Sequence, residues 1–210
     1  MAAKQTGFYG WRLLFFLGIV MLAAGYNFYG PPVLFPMMIQ DTGWSRGEVS
    51  LGLMVNLLLT GFAAPGVAWS INRFGARLTL FVGGFVAAGG TFLTALLGDV
   101  YPFYLLCYGL VTGLGLALAT ALPAQTVVMF WFNRYRALAL SLIMAGVATG
   151  GFVASPVITA VVSRAGGNWR LGWLSMGLVL ILAALVALGF VRNRPADMGL
   201  EPLGADAEPT

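Results

Sequence analysis

Long apolar runs alternate with short polar turns along the chain, and this pattern indicates its class. Six of the runs approach or exceed the ~20 residues that an α-helix needs to cross a bilayer, and the charged residues cluster between them. The pattern predicts an all-α membrane protein with six transmembrane helices. The predicted spans, numbered 1 to 6, cover about residues 11–39, 46–71, 78–97, 102–130, 137–162 and 171–191. The six-helix bundle thus occupies residues 1–191, and a polar tail occupies residues 192–210.

Spans 1 and 4 both carry helix-interrupting residues late in the run. Gly30-Pro31-Pro32 lies in span 1, and Pro123 lies in span 4. Two turns also match, because Gly75-Ala76-Arg77 follows span 2 and Gly167-Asn168-Trp169-Arg170 follows span 5. The chain is therefore predicted to contain two three-helix repeats, which are inverted because they enter the membrane from opposite sides. Inverted repeats with interrupted helices in matching positions are typical of secondary transporters.

Basic residues are distributed unequally between the two sets of turns. The amino terminus, the turns after spans 2 and 4 and the tail hold Lys4, Arg12, Arg73, Arg77, Arg134, Arg136, Arg192 and Arg194. The other turns hold Arg46, Arg164 and Arg170, together with the acidic Asp41, Glu48 and Asp99. Because the more positive side faces the cytoplasm, both termini are predicted to be cytoplasmic in an inner or plasma membrane. The net charge of +4 then reflects contact with the lipid bilayer, and no nucleic-acid partner is predicted.

The composition excludes several kinds of chemistry. Only 9% of the residues are charged, against roughly 25% in a soluble domain, and 60% are hydrophobic. The chain has no His, a single Cys (Cys107) and no charged residue in the core of a predicted span. These absences leave no nucleophile–base pair, metal cluster or proton relay to build from. We therefore predict no catalytic residue, no metal site, no cofactor and no enzymatic activity.

Uncharged polar residues inside the spans are the remaining candidates for lining a solute cavity. The candidates are Tyr26, Asn27, Tyr29, Asn56, Thr120 and Gln125. The first three precede the interruption in span 1 and the last two flank Pro123, and irregular backbone within a membrane is tolerated where it is buried or lines a cavity. For Asn56 helix packing and cavity lining are equally good explanations, because an amide needs a hydrogen-bond partner in either setting.

Several turn motifs together resemble the major facilitator superfamily over nearly the whole chain. The turn from Asn72 to Arg77 is similar to the loop between helices two and three of that superfamily. Within it the chain resembles bacterial members of the monocarboxylate and oxalate/formate transporter branch. That closer resemblance is carried by Tyr9-Gly10-Trp11, by residues 43–50 (GWSRGEVS), by residues 131–140 (WFNRYRALAL) and by residues 194–200 (RPADMGL).

The resemblance assigns a gating role to the turn after span 2. In the superfamily this loop helps to latch two six-helix halves together on the cytoplasmic side, which implies a gating set of Asn72, Arg73, Gly75 and Arg77. Asn72 stands where the superfamily usually has Asp, and Ala68 stands where it usually has Gly. The latch is therefore expected to lack one charge.

The resemblance also implies a fold and a function. Superfamily members have twelve helices, and this chain resembles the amino-terminal half and the start of the linker. We expect spans 1, 2, 4 and 5 to face the solute path and spans 3 and 6 to face lipid. The implied function is secondary active transport of a small solute, preferably a monocarboxylate or another organic anion, by alternating access.

Two readings of a single six-helix half remain open. Cationic substrate-binding residues are expected mainly in the other half of such transporters, so activity is expected to require a second half or a homodimer. The alternative is a non-transporting membrane assembly protein derived from a transporter half, which Asn72 and the absent second half favour.

Overall fold

The computed structural model describes residues 9–203, and its helices cross the bundle six times. The helices of the first repeat are α1 (Tyr9–Tyr29) and α2 (Pro31–Thr42) in span 1, α3 (Arg46–Phe62) and α4 (Ala64–Phe74) in span 2, and α5 (Ala76–Leu97) in span 3. Those of the second repeat are α6 (Tyr101–Tyr104), a π-helix (Leu105–Thr112), α7 (Gly113–Ala119) and α8 (Ala121–Trp131) in span 4, α9 (Arg136–Arg164) in span 5, and α10 (Trp169–Phe190) in span 6. Lys4 and the tail beyond residue 203 lie outside the described residues.

Five spans are long and apolar enough to cross a membrane as they stand, and the α3–α4 pair completes the sixth with a 51° bend. The predicted all-α class with six spans is therefore confirmed within residues 9–203. The Tyr9 hydroxyl donates to the carbonyl oxygen of Phe190 at 2.8 Å. The start of α1 and the end of α10 therefore lie at the same face of the bundle. We call this the inner face, and the opposite one the outer face, after the orientation that the charges predict.

Proline and glycine account for the breaks within the spans. Proline lacks the N–H that a helix needs for its i to i−4 hydrogen bond. Span 1 changes helix at Gly30 before two prolines, span 2 at Ala63 before Pro65, and span 4 at Thr120 before Pro123. The breaks in spans 1 and 4 thus fall late in the first helix of each repeat, where the sequence predicts them.

The packing of the spans supports the inverted repeat. Span 1 packs along span 5 as span 4 packs along span 2, and span 1 contacts span 6 as span 4 contacts span 3. Spans 3 and 6 pack against each other. Exchanging the two repeats converts the contact of spans 1 and 5 into that of spans 4 and 2, converts the contact of spans 1 and 6 into that of spans 4 and 3, and leaves the contact of spans 3 and 6 unchanged, as a two-fold axis between the repeats requires. The predicted pair of inverted three-helix repeats is confirmed.

Two arginines in corresponding places tie the repeats together. Arg77 begins α5, and its guanidinium donates from Nε at 2.7 Å, and also from Nη2, to the carbonyl oxygen of Leu188 near the end of α10. Arg170 begins α10 and forms an ion pair with Asp99, directly after α5, and another with Asp41 at 3.6 Å. Arg77 therefore joins the start of α5 to the end of α10 at the inner face, and Arg170 joins the start of α10 to the end of α5 at the outer face.

Candidate functional site

Tyr26 and Asn27 point into the bundle. Asn27 is 2% exposed, and its Nδ2 donates to the carbonyl oxygens of Ala23 at 3.1 Å and of Met176 at 3.3 Å. Tyr26 is also buried and belongs to the same apolar cluster as Ile158 of α9 and Met176 of α10. Both side chains therefore lie at the contact of span 1 with spans 5 and 6.

Tyr29 points in a different direction and is 53% exposed. Its ring lies against Gly151 of α9, where an added Cβ would come within 3.0 Å of Cγ of the tyrosine. The exposed residues Pro32, Pro36 and Gln40 follow it in α2 at helical spacing. Tyr29 therefore begins an exposed stripe that runs along the second half of span 1 to the outer face.

Asn56 joins span 2 to span 4. Its side chain is 2% exposed, and Nδ2 donates at 2.8 Å to the carbonyl oxygen of Tyr108 in the π-helix. One turn later the Thr60 hydroxyl lies 2.8 Å from the Asn56 carbonyl oxygen and 3.3 Å from that of Gly113. An added Cβ on Gly113 would lie 3.1 Å from the Asn56 carbonyl oxygen, so the two backbones approach closely here. These are the contacts of a residue that packs two helices.

Removing this amide is expected to loosen the contact. Asn56→Ala leaves the Tyr108 carbonyl without its side-chain donor, and interhelical hydrogen bonds in membranes contribute about 0.6 kcal/mol on average and up to about 1.7. We expect a loss of stability in that range, measured by unfolding the detergent-purified chain with SDS. Asn72→Ala removes an exposed amide and serves as the control. Equal losses from the two substitutions would contradict the packing role.

Thr120 and Gln125 lie at the interruption of span 4. Thr120 separates α7 from α8 with φ −114° and ψ −137°, and Gln125 lies in α8 just beyond Pro123. Both side chains are half-buried. The six predicted cavity residues therefore do not form one cluster, because Tyr26, Asn27 and Asn56 are buried between helices while Tyr29, Thr120 and Gln125 are partly exposed.

The turn after span 2 divides into two parts. Asn72 and Arg73 are exposed, whereas Gly75 and Arg77 face the segment that follows α10. Gly75 has φ +85°, and a Cβ there would come within 2.8 Å of Cγ of Asn193. The Asn193 Oδ1 atom accepts the backbone N–H of Arg77 at 2.8 Å. Asn193 thus ties the predicted gating turn to the end of span 6.

The described part of the tail lies against the inner face, which sequence reasoning did not foresee. The Trp131 indole N–H donates to the Arg192 carbonyl oxygen at 3.1 Å. Further along, the Leu203 N–H donates to the Trp131 carbonyl oxygen at 3.0 Å, and the N–H groups of Asn133 and Arg134 donate to the Leu203 carbonyl oxygen. Residues 192–203 therefore connect the turns after spans 2 and 4. The motif at residues 194–200 was the one sequence feature that could have indicated an ordered tail, because it contributed to the family resemblance.

Ion pairs around Arg170 join the turns of the outer face, and the sequence did not predict this pairing. Arg170 pairs with Asp41 and Asp99, and the Trp169 indole N–H donates to Oδ2 of Asp41 at 2.9 Å. Within residues 9–203 no three His, Cys, Asp or Glu side chains come together as a metal site would require.

Comparison with known proteins agrees with this architecture of two inverted three-helix repeats. The sequence pattern of the Major Facilitator Superfamily matches residues 15–208. The chain therefore belongs to the Major Facilitator Superfamily, as its motifs indicated. It is a multi-pass membrane protein of that superfamily.

The similar curated proteins are named monocarboxylate transporters. Monocarboxylate transporter 4 of Mus musculus is 30% identical over 97% of this chain and 43% of its own length. Monocarboxylate transporter 7 of Homo sapiens is 27% identical over 77% of this chain and 31% of its own. Monocarboxylate transporter 9 of Rattus norvegicus is 32% identical over 71% of this chain and 29% of its own. The chain thus spans less than half the length of these relatives, which are transporters rather than enzymes.

Proposed function

We propose that this chain is one six-helix bundle of a secondary transporter for a monocarboxylate or another small organic anion. It works by alternating access, in which two bundles rock against each other around a site near the middle of the membrane. The second bundle is either another six-helix half or a second copy of this chain. Superfamily membership and the names of the relatives support the transport of a small solute.

The observation that carries the need for a second bundle is the exposed apolar surface of spans 2 and 5. In the most apolar part of span 5 only 22% of the residues are buried, against 61% in span 1. Phe62 in span 2 is 79% exposed and Phe152 in span 5 is 84% exposed. Each lies about one turn before a proline, Pro65 or Pro156, so the two occupy corresponding places in the inverted repeats. A bundle with such paired apolar surfaces is suited to packing against a second one.

Within the proposed path the six candidate residues take two roles. Tyr29, Thr120 and Gln125 face the solute, because each is accessible next to a helix interruption. Tyr26, Asn27 and Asn56 fix the helices around the path. We place Asn72 and Arg73 where the second bundle latches at the inner face, and Gly75 and Arg77 where the turn is anchored to its own bundle.

The uncharged, exposed amide of Asn72 favours one alternative function. A latch built on it lacks the carboxylate of a typical superfamily loop, as expected of a non-transporting assembly protein derived from a transporter half. Uptake separates the two functions. If a second copy of the chain completes the transporter, we expect proteoliposomes containing the full chain to take up labelled lactate or pyruvate down an inward solute gradient, and a native mass measurement in detergent to give two copies. Dimers that take up no more label than empty vesicles would favour the assembly protein.

The hydroxyl of Tyr29 is expected to matter for uptake. In Tyr29→Phe the ring that packs on Gly151 remains but a hydroxyl that can bond the solute is lost. A neutral hydrogen bond contributes about 0.5–1.5 kcal/mol, so the rate of labelled lactate uptake should fall about two- to tenfold. Tyr135→Phe is the matched control, because Tyr135 is 50% exposed in the turn after span 4. Equal uptake rates for the two variants would contradict a contact between the Tyr29 hydroxyl and the solute.

A further inference from the structure

A cavity of about 350 Å³ opens at the outer face between α2 and the start of α3. Its polar lining consists of Gln40, Arg46 and Ser50, and its apolar lining includes Phe35, Pro36 and Val49. One water molecule takes up about 30 Å³ of liquid, so the cavity has room for a short organic acid with several waters. The arrangement places a cation and two hydrogen-bonding groups beside a hydrophobic wall.

Arg46 faces this cavity without a carboxylate of its own among the described residues. Three acidic residues lie at the outer face within the described part of the chain, and each has another partner. Asp41 and Asp99 pair with Arg170, and the Asp41 carboxylate also accepts the Trp169 indole N–H. Oε2 of Glu48 lies 2.8 Å from both the backbone N and the Oγ of Ser45 in the capping box of α3. The positive charge of Arg46 therefore remains available to an anion from solution.

The cavity also lies at the end of the exposed stripe of span 1. Gln40 and Pro36 belong both to its lining and to the stripe that begins at Tyr29. A solute bound beside Arg46 could therefore pass along one helix face to the tyrosine at the interruption of the span.

We propose that the cavity beside Arg46 is an outer recruitment site for short-chain monocarboxylates. The guanidinium binds the carboxylate, for which its planar fork is well matched, Ser50 and Gln40 offer hydrogen bonds, and the apolar wall holds the alkyl end. This inference rests on the proposed function, because it names where the same class of solute first binds. Arg46 is exposed, so its attraction acts mainly on capture and weakens as salt screens it.

Uptake kinetics test the role of Arg46 in recruitment. In proteoliposomes containing the full chain, Arg46→Gln should raise the KM for labelled lactate about five- to tenfold while kcat stays within twofold. The difference should shrink at 1 M salt, where the screening length is about 3 Å. Arg164→Gln is the matched control, because it removes an exposed cation at the same face outside the cavity. Equal KM values for Arg46→Gln and the unaltered chain would overturn the inference.

A binding measurement separates this inference from the proposed function. Carbon-13 butyrate titrated into the detergent-purified chain should bind to the unaltered protein and several-fold more weakly to Arg46→Gln. Binding that depends on Arg46 in a chain without uptake would sustain the site and reject the transporter. Uptake with the same KM in the unaltered chain and in Arg46→Gln would support the transporter and reject the site. If the site binds phosphatidylglycerol in mixed micelles, but not butyrate, in an Arg46-dependent way, it is a lipid site and the inference fails.

Discussion

Gly150→Ala is expected to destabilise the bundle more than any other single-methyl addition that we propose. A Cβ on Gly150 would collide with the backbone carbonyl oxygen of Leu22 and come within 2.8 Å of the backbone N of Tyr26. Backbone atoms in a packed helix cannot move aside cheaply, and overpacking of this kind costs about 1–3 kcal/mol. We expect the upper end of that range, measured by SDS unfolding of the purified chain, with a fall in Tm of about 2–4 °C per kcal/mol.

Gly18→Ala provides the matched control for this substitution. Gly18 lies in α1, the helix that Gly150 contacts, and an added Cβ would meet no atom within 4 Å. Alanine has a higher helix propensity than glycine, so Gly18→Ala should leave stability unchanged or raise it slightly. If both variants lost the same stability, helix flexibility rather than the close approach of spans 1 and 5 would be the cause.

The spacing of two glycines in α9 indicates close helix packing at this contact but does not name the partner. Gly146 and Gly150 lie four residues apart on one face of α9, which favours close approach in membranes. The structure shows that α1 fills the groove, with an added Cβ on Gly146 lying 2.7 Å from the Gly18 carbonyl oxygen. Which helix packs there depends on the arrangement of all six spans. A short motif carries no such information.

Span count and repeat could be predicted because the membrane imposes them. Hydrocarbon forces every backbone polar group to bond within its own helix, so long apolar runs are helices wherever they occur. Proline also indicated the break in span 4, where the change of helix at Thr120 precedes Pro123, although Pro156 lies inside the unbroken α9. Both constraints are local, and local constraints can be read from a single chain.

The roles of the buried amides could not be predicted in the same way. Asn27 and Asn56 donate to the main-chain carbonyl oxygens of Met176 and Tyr108. Every residue carries a carbonyl, so the sequence does not mark which one accepts a side chain. The π-helix that contains Tyr108 has no sequence signal that we could identify. The hydrogen-bond partner of Asn56 therefore could not be predicted without the fold.

Arg77→Ala is expected to loosen the inner face of the bundle. The substitution removes the guanidinium donors of the Leu188 carbonyl at the end of α10, where a cation also interacts favourably with the helix dipole. Hydrogen bonds to charged groups contribute about 1.5–3 kcal/mol, and we expect a stability loss of that size by SDS unfolding. Arg77→Lys keeps the charge but not the planar fork, so it should recover only part of the loss.

Two further arginines show whether the bond or the charge is responsible. Arg73 lies in the same turn and is exposed, so Arg73→Ala removes equal charge and should change stability by less than about 0.5 kcal/mol. Arg170→Ala breaks the corresponding clamp at the outer face. Its partner carboxylates are about half exposed there, and exposed ion pairs contribute only about 0–1 kcal/mol. The two clamps are thus equivalent in position but unequal in strength, and a loss from Arg170→Ala equal to that from Arg77→Ala would contradict this ranking.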